Sequence, residues 1–297
     1  MNKSKIGRAL ISVSDKSGVV DFAKGLVDLG VEIVSTGGTF QTLKEAGLPV
    51  TYISEVTNFP EIMDGRVKTL HPAIHGGILA VRANKDHQNA LEEQGIKPID
   101  LVAVNLYPFR EVAKNTESTW DELIENIDIG GPSMVRSAAK NHKDVLILVN
   151  PSDYQPILKA LQDQGDVSQE GRLKLALKAY QHTAEYDTCI QETLAKRSQD
   201  TYFPEVMMPV MDKVAVLRYG ENPGQKAALY QDLAAAGFTQ AQQLHGKELS
   251  YNNWLDGDSA FRLVQEFSEP TAVIIKHTNP CGVACGEKLE DVFVKAL

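Results

Sequence analysis

Short apolar runs alternate with helical patterns over the first two thirds of the chain. Apolar runs of strand length occupy residues 9–14, 31–35, 50–53, 100–109 and 145–149. Between them, polar or glycine-rich turns lead into segments whose apolar residues recur at the spacing of a helix. This repeated order of strand, loop and helix predicts βαβ units in a parallel sheet, an α/β fold. In such a sheet, ligands bind beyond the carboxyl ends of the strands.

The same pattern predicts the division into domains. A long helical pattern at 169–197 is followed by residues 198–213, which contain two prolines and no clean period, as interdomain linkers do. Strand and helix patterns then resume, with a helix expected at about 258–267, and the sequence stops within a helical pattern. We therefore expect one domain at 1–197 and a second, incomplete domain at 214–297.

Composition and charge exclude several classes of protein. Hydrophobic residues make up 43% of the chain and charged residues 23%, as in soluble globular proteins. A net charge of −9 argues against a general binder of nucleic acids or acidic membranes. No apolar run approaches the roughly 20 residues that span a bilayer, and the N-terminus lacks the features of a signal peptide. Three cysteines without zinc-site spacing suit a reducing compartment, so we expect a cytoplasmic protein.

Two polar loops at strand ends directly precede predicted helices. They have the sequences SDK at residues 14–16 and TGGT at residues 36–39. Helix N-terminal amides, hydroxyls and a lysine form a natural phosphate site, although each loop alone also fits an ordinary βα turn. The segment 57–80 is predicted to be a long irregular loop with a functional role, and it adds Arg66 and Lys68. Together these groups favour a phosphorylated small molecule over ATP or a dinucleotide.

The stretch IDIGGPSMVRSAAKNHKD, residues 127–144, joins an acid to a cationic helix. Pro132 suits the first turn of a helix, and apolar residues at helical spacing predict one buried face. Asp128 lies at the entrance of this helix and Lys140 lies on its free face. An acid and a lysine on one scaffold fit proton transfer on a bound anion, and they also fit an ordinary solvated helix face.

Asn105 and Tyr107 lie at the end of the apolar run at 100–109 and are expected in the same crevice. An asparagine can recognise an amide or the edge of a base, and a tyrosine can relay a proton or pack. The histidines are scattered without the spacing of metal ligands, so we expect no metal site.

The second region contains two further pairs of polar residues. Arg218 and Tyr219 lie in a glycine-bounded loop, and Lys276 and His277 end an apolar run. A lysine beside a histidine keeps the imidazole neutral as a base, whereas two exposed cations are the simpler interpretation.

Seven motifs occur in one order along the chain: SVSDKSG, STGGT, GRVKTLHP, NLYPF, IDIGGPSMVRSAAKNH, LRYGENP and VIIKHTNPCG. Together they resemble the bifunctional purine-biosynthesis enzymes that join IMP cyclohydrolase to AICAR transformylase. The resemblance implies a fold similar to methylglyoxal synthase at 1–197 and the start of a zinc-free, cytidine-deaminase-like α/β domain at 214–297. It also implies a family dimer, so a homodimer is a further expectation.

For the first domain, the resemblance implies closure of FAICAR to IMP with loss of water. It assigns oxyanion stabilisation to Lys68 and proton transfer to Asp128, Lys140 and Tyr107, with no metal or redox cofactor. The purine nucleotide is then expected to contact Ser14, Asp15, Lys16, Thr36, Gly37, Gly38, Thr39, Arg66, Val67, Thr69, Asn105 and Ile129.

For the second domain, the resemblance implies formyl transfer from the co-substrate 10-formyltetrahydrofolate to AICAR. Arg218 and Tyr219 would contact AICAR, while Lys276 and His277 would activate its amine. The family's chain continues beyond this point, so an incomplete transformylase is expected. Two alternatives stay open: a regulatory module that binds a nucleotide monophosphate without turnover, and methylglyoxal synthase itself. The second domain and the strand end at Asn105 and Tyr107 argue against the latter.

Overall fold

The computed structural model describes residues 6–115, 117–198, 206–232 and 237–297. The chain divides into two compact units, Met1–Phe203 and Pro204–Leu297. Residues 199–205 of the predicted linker at 198–213 lie outside the described residues, so the domain limits stay predictions.

Within the described residues, five parallel strands form the sheet of the first unit in the order β3-β2-β1-β4-β5. Ile11 on β1 pairs with Ser35 on one side and with Ala103 on the other. The chain therefore winds in opposite directions from β1 and β4, and their carboxyl ends border the crevice where such sheets bind ligands. The predicted parallel α/β class is confirmed. The strands are β1 (Arg8–Val13), β2 (Glu32–Ser35), β3 (Val50–Tyr52), β4 (Leu101–Asn105) and β5 (Leu146–Leu148).

Helices cover both faces of this sheet because each carries one apolar stripe. Phe22 and Leu26 are fully buried on α1, as are Val135 and Ala138 on α8. The long helix α10 packs along α8 and near β5. The helices are α1 (Val19–Asp28), α2 (Gly37–Glu45), α3 (Ile53–Thr57), α4 (Pro72–Leu79), α5 (Lys85–Glu93), α6 (Phe109–Lys114), α7 (Trp120–Glu125), α8 (Gly130–Lys140), α9 (Tyr154–Gln164) and α10 (Gln169–Ser198).

The expected irregular loop at 57–80 is shorter than predicted. Helix α4 occupies its last part, because Pro72 suits a first helical turn and the His71 ring accepts a hydrogen bond from the Ala73 amide at 3.1 Å. The irregular part is the loop of residues 58–71.

Among its described residues, the second unit contains two antiparallel strand pairs, two α-helices and the short 3-10 helix Phe238–Gln240. The strands β6 (Met211–Val216) and β7 (Ala228–Asp232) form one pair, and β8 (Thr271–Lys276) and β9 (Asn279–Cys285) form the other. Helix α11 (Tyr251–Gln265) begins well before the predicted position, because Ser250 and Asn253 form a capping box at its start. Helix α12 (Leu289–Ala296) ends the unit.

Candidate active site

A cavity of about 760 Å³ lies beyond the carboxyl ends of β1, β2 and β4. Its size is that of an ordinary small-molecule site. Segments far apart in the sequence line it, including both predicted phosphate loops, the loop 58–71 and the turn before α8. The predicted residues that line it are Ser14, Lys16, Thr36, Gly37, Gly38, Thr39, Arg66, Val67, Lys68, Thr69, Asn105, Tyr107, Asp128 and Ile129.

The glycine loop and two lysines form a cationic end of the cavity. Gly37 begins α2 with φ of 44°, a left-handed conformation that favours glycine. A Cβ at Gly37 would lie 3.8 Å from Lys68 Nζ, and one at Gly38 would lie 3.7 Å from Lys16 Nζ. Two ammonium groups thus lie over the N-terminus of a helix, an arrangement that attracts an anion.

The threonines of this loop serve mainly to hold it in place. Thr36 and Thr39 are buried, and the Thr36 hydroxyl lies 2.7 Å from the Ser12 hydroxyl. The Thr39 hydroxyl accepts a hydrogen bond from the Val13 amide and donates one to the Val13 carbonyl, both at 2.9 Å. The loop after β2 is therefore fastened to the end of β1.

Asn105 fastens the other phosphate loop. Its side-chain oxygen accepts hydrogen bonds from the amides of Ser14 and Asp15 at 2.6 and 2.9 Å, and its side-chain nitrogen donates to the Asp15 carbonyl at 3.1 Å. The amide expected to recognise a base edge thus holds the backbone of this loop. Asp15 itself lines a neighbouring cleft of about 550 Å³ and is not among the described residues that line the main cavity.

Arg66 reaches across the mouth of the cavity to the end of α7. Its guanidinium forms an ion pair with Glu125, which also lines the cavity, and both side chains are exposed. Arg66, which was predicted to contact the phosphate, therefore already pairs with an acidic side chain. The sequence pattern did not predict Glu125 as a site residue, because an acid at a helix end is common.

Asp128 is the half-buried acid of the cavity, whereas Asp64 and Glu125, which also line it, are exposed. Its Oδ1 atom accepts a hydrogen bond from the Gly131 amide at 2.8 Å. Burial raises the pKa of Asp128, and amide hydrogen bonds together with the charge of Lys68 offset only part of this effect. A carboxyl group with a raised pKa near a lysine is suited to proton transfer.

The turn that holds Asp128 depends on a residue that no local pattern predicts. The Asp128 amide donates a hydrogen bond to the Tyr186 hydroxyl at 2.7 Å, and that hydroxyl donates to the Asn126 carbonyl at 3.2 Å. Tyr186 lies on α10, and only the tertiary fold brings it here.

Tyr107 and Ile129 lie at the cavity mouth with 45% and 58% of their surface exposed.

Lys140 does not line the cavity of a single chain, and its expected role in proton transfer with Asp128 stays a prediction. It is the exposed last residue of α8, whose first residues border the cavity. At 1.5 Å per residue, the helix separates its two ends by about 15 Å. Lys140 is not among the described residues that line the cavity. The free face of α8 therefore matches the solvated interpretation at this position.

The two residue pairs of the second unit lie near one helix. The Arg218 guanidinium lies 4.9 Å from the centre of the Tyr219 ring and donates to its hydroxyl at 3.2 Å, which lowers the pKa of Tyr219. The backbone carbonyl oxygen of Tyr219 accepts a hydrogen bond from the Tyr251 amide at the start of α11. Lys276 ends β8, and exposed His277 begins the hairpin turn.

The hairpin turn is strained and tied to α11. His277 and Thr278 have φ of 52° and 63°, which side chains other than glycine rarely adopt. The Thr278 amide donates to Asp256 of α11 at 2.8 Å. The helix thus lies close to both predicted pairs.

The described residues contain neither a cluster of metal ligands nor a membrane-spanning helix. Among those residues, no group of three or more histidine, cysteine, aspartate or glutamate side chains could hold a metal ion. Within the same part of the chain, no helix is long and apolar enough to cross a membrane.

Comparisons with known proteins match both regions. Residues 18–133 match the MGS-like domain, and residues 138–297 match the AICARFT/IMPCHase bienzyme. The crystal structure of ForH is 37% identical, with a TM-score of 0.57, over 64% of this chain and 100% of ForH. The predicted similarity of the first region to methylglyoxal synthase is confirmed.

Curated relatives carry the name bifunctional purine biosynthesis protein PurH. Identity is 55% over 298 residues for the protein from Desulfitobacterium hafniense, 56% over 291 for Halalkalibacterium halodurans and 53% over 293 for Bacillus subtilis. These alignments cover 97–98% of this chain but only 57% of each relative. Because the bienzyme model matches more than half of the chain, the protein belongs to the AICARFT/IMPCHase bienzyme family.

Proposed function

We propose that the first unit is an IMP cyclohydrolase of purine nucleotide biosynthesis, which closes FAICAR to IMP and releases water. The observation that supports this function best is one cavity with an anion site at one end and a carboxyl group of raised pKa near Lys68. The anion site, at Lys16, Gly37 and Gly38, suits the phosphate of a ribonucleotide. The base then extends toward Asp128.

The ring closure requires charge stabilisation and proton transfer. The carboxamide nitrogen attacks the formyl carbon, and the formyl oxygen gains negative charge. We assign stabilisation of that oxygen to the Lys68 ammonium. Asp128 accepts the proton that the attacking nitrogen loses, and Tyr107 at the cavity mouth helps to return it to the oxygen as a hydroxyl group. The nitrogen that carried the formyl group then loses its own proton as the C=N bond forms, and the hydroxyl group takes up this second proton and leaves as water. Because the reaction is intramolecular, holding the two groups in contact supplies much of the acceleration.

The test is FAICAR turnover in matched variants. Lys68→Met and Asp128→Asn are each expected to lower kcat by about 10²–10³-fold, the loss typical of an oxyanion donor or an acid–base group. Asp163→Asn, an exposed position on α9, is the control and is expected to match the wild type. Normal turnover in both site variants would refute the assignment. Binding of IMP without any turnover by the wild type would instead favour the regulatory module.

For the second unit we propose a part in formyl transfer from 10-formyltetrahydrofolate to AICAR. The proximity of Arg218, Tyr219 and the Lys276–His277 turn to one helix supports it. The chain spans 57% of the relatives' length, and we expect the remaining residues to be needed for turnover. An assay with AICAR and 10-formyltetrahydrofolate is therefore expected to show no activity for residues 1–297, and measurable turnover would contradict this.

We further propose a cytoplasmic homodimer that needs no metal for the cyclohydrolase reaction. Three free cysteines support a reducing compartment. Sedimentation equilibrium would test the dimer, and a single species with the mass of one chain would exclude it.

A further inference from the structure

The hydroxyl of Tyr186 connects the two sides of the turn between α7 and α8. It accepts the Asp128 amide at 2.7 Å and donates to the Asn126 carbonyl at 3.2 Å. The Tyr186 side chain is buried, and its ring packs edge-on against Phe109 with 6.2 Å between ring centres. A rigid, buried side chain thus holds a turn that contains the proposed acid–base group.

The turn has few other anchors. Ile129 is largely exposed, and Gly130 and Gly131 have no side chains that could fix its path. On the carboxyl side, Asp128 Oδ1 accepts a hydrogen bond from the Gly131 amide, which moves together with the turn, and the backbone amide of Tyr107 is a further donor to the carboxyl group. The two hydrogen bonds to Tyr186 come from a different helix, so they fix the turn relative to the rest of the unit.

We propose that Tyr186 is a positioning residue, which holds Asp128 through its backbone amide so that the carboxyl group faces the cavity beside Lys68. What Asp128 does there rests on the cyclohydrolase function proposed above. How Asp128 is held does not depend on that function.

The protonation state of Tyr186 agrees with this role. Burial raises the pKa of Tyr186 to about 12, so at neutral pH the hydroxyl keeps its proton and can donate and accept at once. Lys68 from the loop 58–71 and the hydroxyl of Tyr186 from α10 interact electrostatically with Asp128, and Tyr107 after β4 adds an amide hydrogen bond to its carboxyl group. Loosening the turn admits water to the carboxyl group, and the pKa of Asp128 then falls toward its ordinary value.

The experiment removes the hydroxyl and keeps the ring. Tyr186→Phe is expected to lower kcat for FAICAR about 10–100-fold, because a displacement of about 1 Å at a reacting group can cost 10²-fold. KM is expected to change less than threefold, since the anion site is untouched. Tyr180→Phe is the control: it lies on the same helix, is exposed and contacts Arg136 through its ring. It is expected to behave as the wild type.

Two measurements separate positioning from a loss of stability. The pKa of the Asp128 carboxyl group, followed by NMR with ¹³C-labelled aspartate and assigned with Asp128→Asn, is expected to fall in Tyr186→Phe and to stay constant in Tyr180→Phe. In an Asp128→Asn background, Tyr186→Phe is expected to lower kcat less than twofold further, because its effect passes through Asp128.

An unchanged Asp128 pKa, or full additivity of the two substitutions, would overturn the proposal. If the wild type shows no FAICAR turnover but the pKa still falls in Tyr186→Phe, positioning holds and the proposed function fails. If Tyr186→Phe does not fold, 4-aminophenylalanine at position 186 restores a donor and a weak acceptor. It is then expected to fold with an Asp128 pKa close to that of the wild type, and a pKa equal to the ordinary aspartate value would refute the proposal.

Discussion

Gly131, the second residue of α8, lies very close to Asp128. A methyl group added at Gly131 should therefore lower turnover and leave substrate binding almost unchanged. A Cβ at this position would lie 2.3 Å from Asp128 Oδ2 and 2.8 Å from Leu106 Cδ2. The backbone itself accepts alanine, because Gly131 lies in a helix and is not among the described glycines with positive φ. Gly131→Ala therefore tests the position of one carboxyl group.

The size of the effect follows from these distances. Ordinary contact begins at 3.4 Å, so the carboxyl group must retreat by 3.4 − 2.3 = 1.1 Å. Alanine is favoured over glycine in a helix by about 0.5–1 kcal/mol, whereas overpacking costs about 1–3 kcal/mol. The expected net loss of stability is about 0–2.5 kcal/mol from these two ranges. A retreat of about 1 Å is expected to lower kcat about 10²-fold.

The assay compares FAICAR turnover with denaturant unfolding in Gly131→Ala and in a control. Gly76→Ala is the control, since Gly76 also lies in a helix and its added Cβ would be no closer than 3.4 Å to any neighbour. It is expected to keep wild-type kcat. Gly131→Ala is expected to keep KM within about threefold, because the lysines of the anion site do not move. A kcat within threefold of the wild type would refute the reasoning that Asp128 must stay in place.

Three further predictions concern charged groups. Because burial raises the pKa of Asp128, the stability that its protonated carboxyl group contributes is full below the unfolded pKa near 3.8 and is lost as pH rises through the folded pKa. Asp128→Asn should therefore gain stability relative to the wild type as pH rises above the unfolded pKa, and a difference in unfolding free energy that is independent of pH would contradict this. Because Lys140 does not line the cavity of a single chain, Lys140→Ala should keep kcat within threefold of the wild type if only this arrangement is active. Complete loss of turnover would instead support the predicted proton-transfer role of Lys140, reached through another arrangement such as an assembly of chains. Arg66→Ala should raise KM about tenfold, because a cation that contacts the phosphate is lost. The unfolding free energy should change by less than about 1 kcal/mol, because the ion pair of Arg66 with Glu125 is exposed. An unchanged KM would show that Arg66 does not belong to the binding site.

The fold and most of the cavity follow from local patterns. Each apolar run is short enough for one strand, and each loop that follows a strand must lie at the same edge of a parallel sheet. Loop residues such as Lys16, Gly37 and Lys68 could therefore be grouped from the sequence, because topology alone brings them together. The residue types of these loops were enough to predict an anion site, and no distance between elements had to be known.

Other features depend on distances that a linear pattern does not contain. Lys140 shares a motif with Asp128, but the rise of α8 places Lys140 about 15 Å from the first residue of that helix. Tyr186 lies 58 residues from Asp128 and still binds its amide, because α10 returns along α8. Asn105 has the right residue type for base recognition, but its amide holds the loop at Ser14.

The strand order explains why binding and chemistry should be separable in this unit. The anion site belongs to the loops after β1 and β2, on one side of the switch point, and is fastened by Thr39 and Asn105. The acid belongs to the turn before α8, on the other side, and is fastened by Tyr186. These two sets of anchors share no residue. A substitution at Thr39 or Asn105 should therefore change mainly KM, and a substitution at Tyr186 should change mainly kcat. Lys68 lies near Gly37 and also acts on Asp128, so a substitution there is expected to change both.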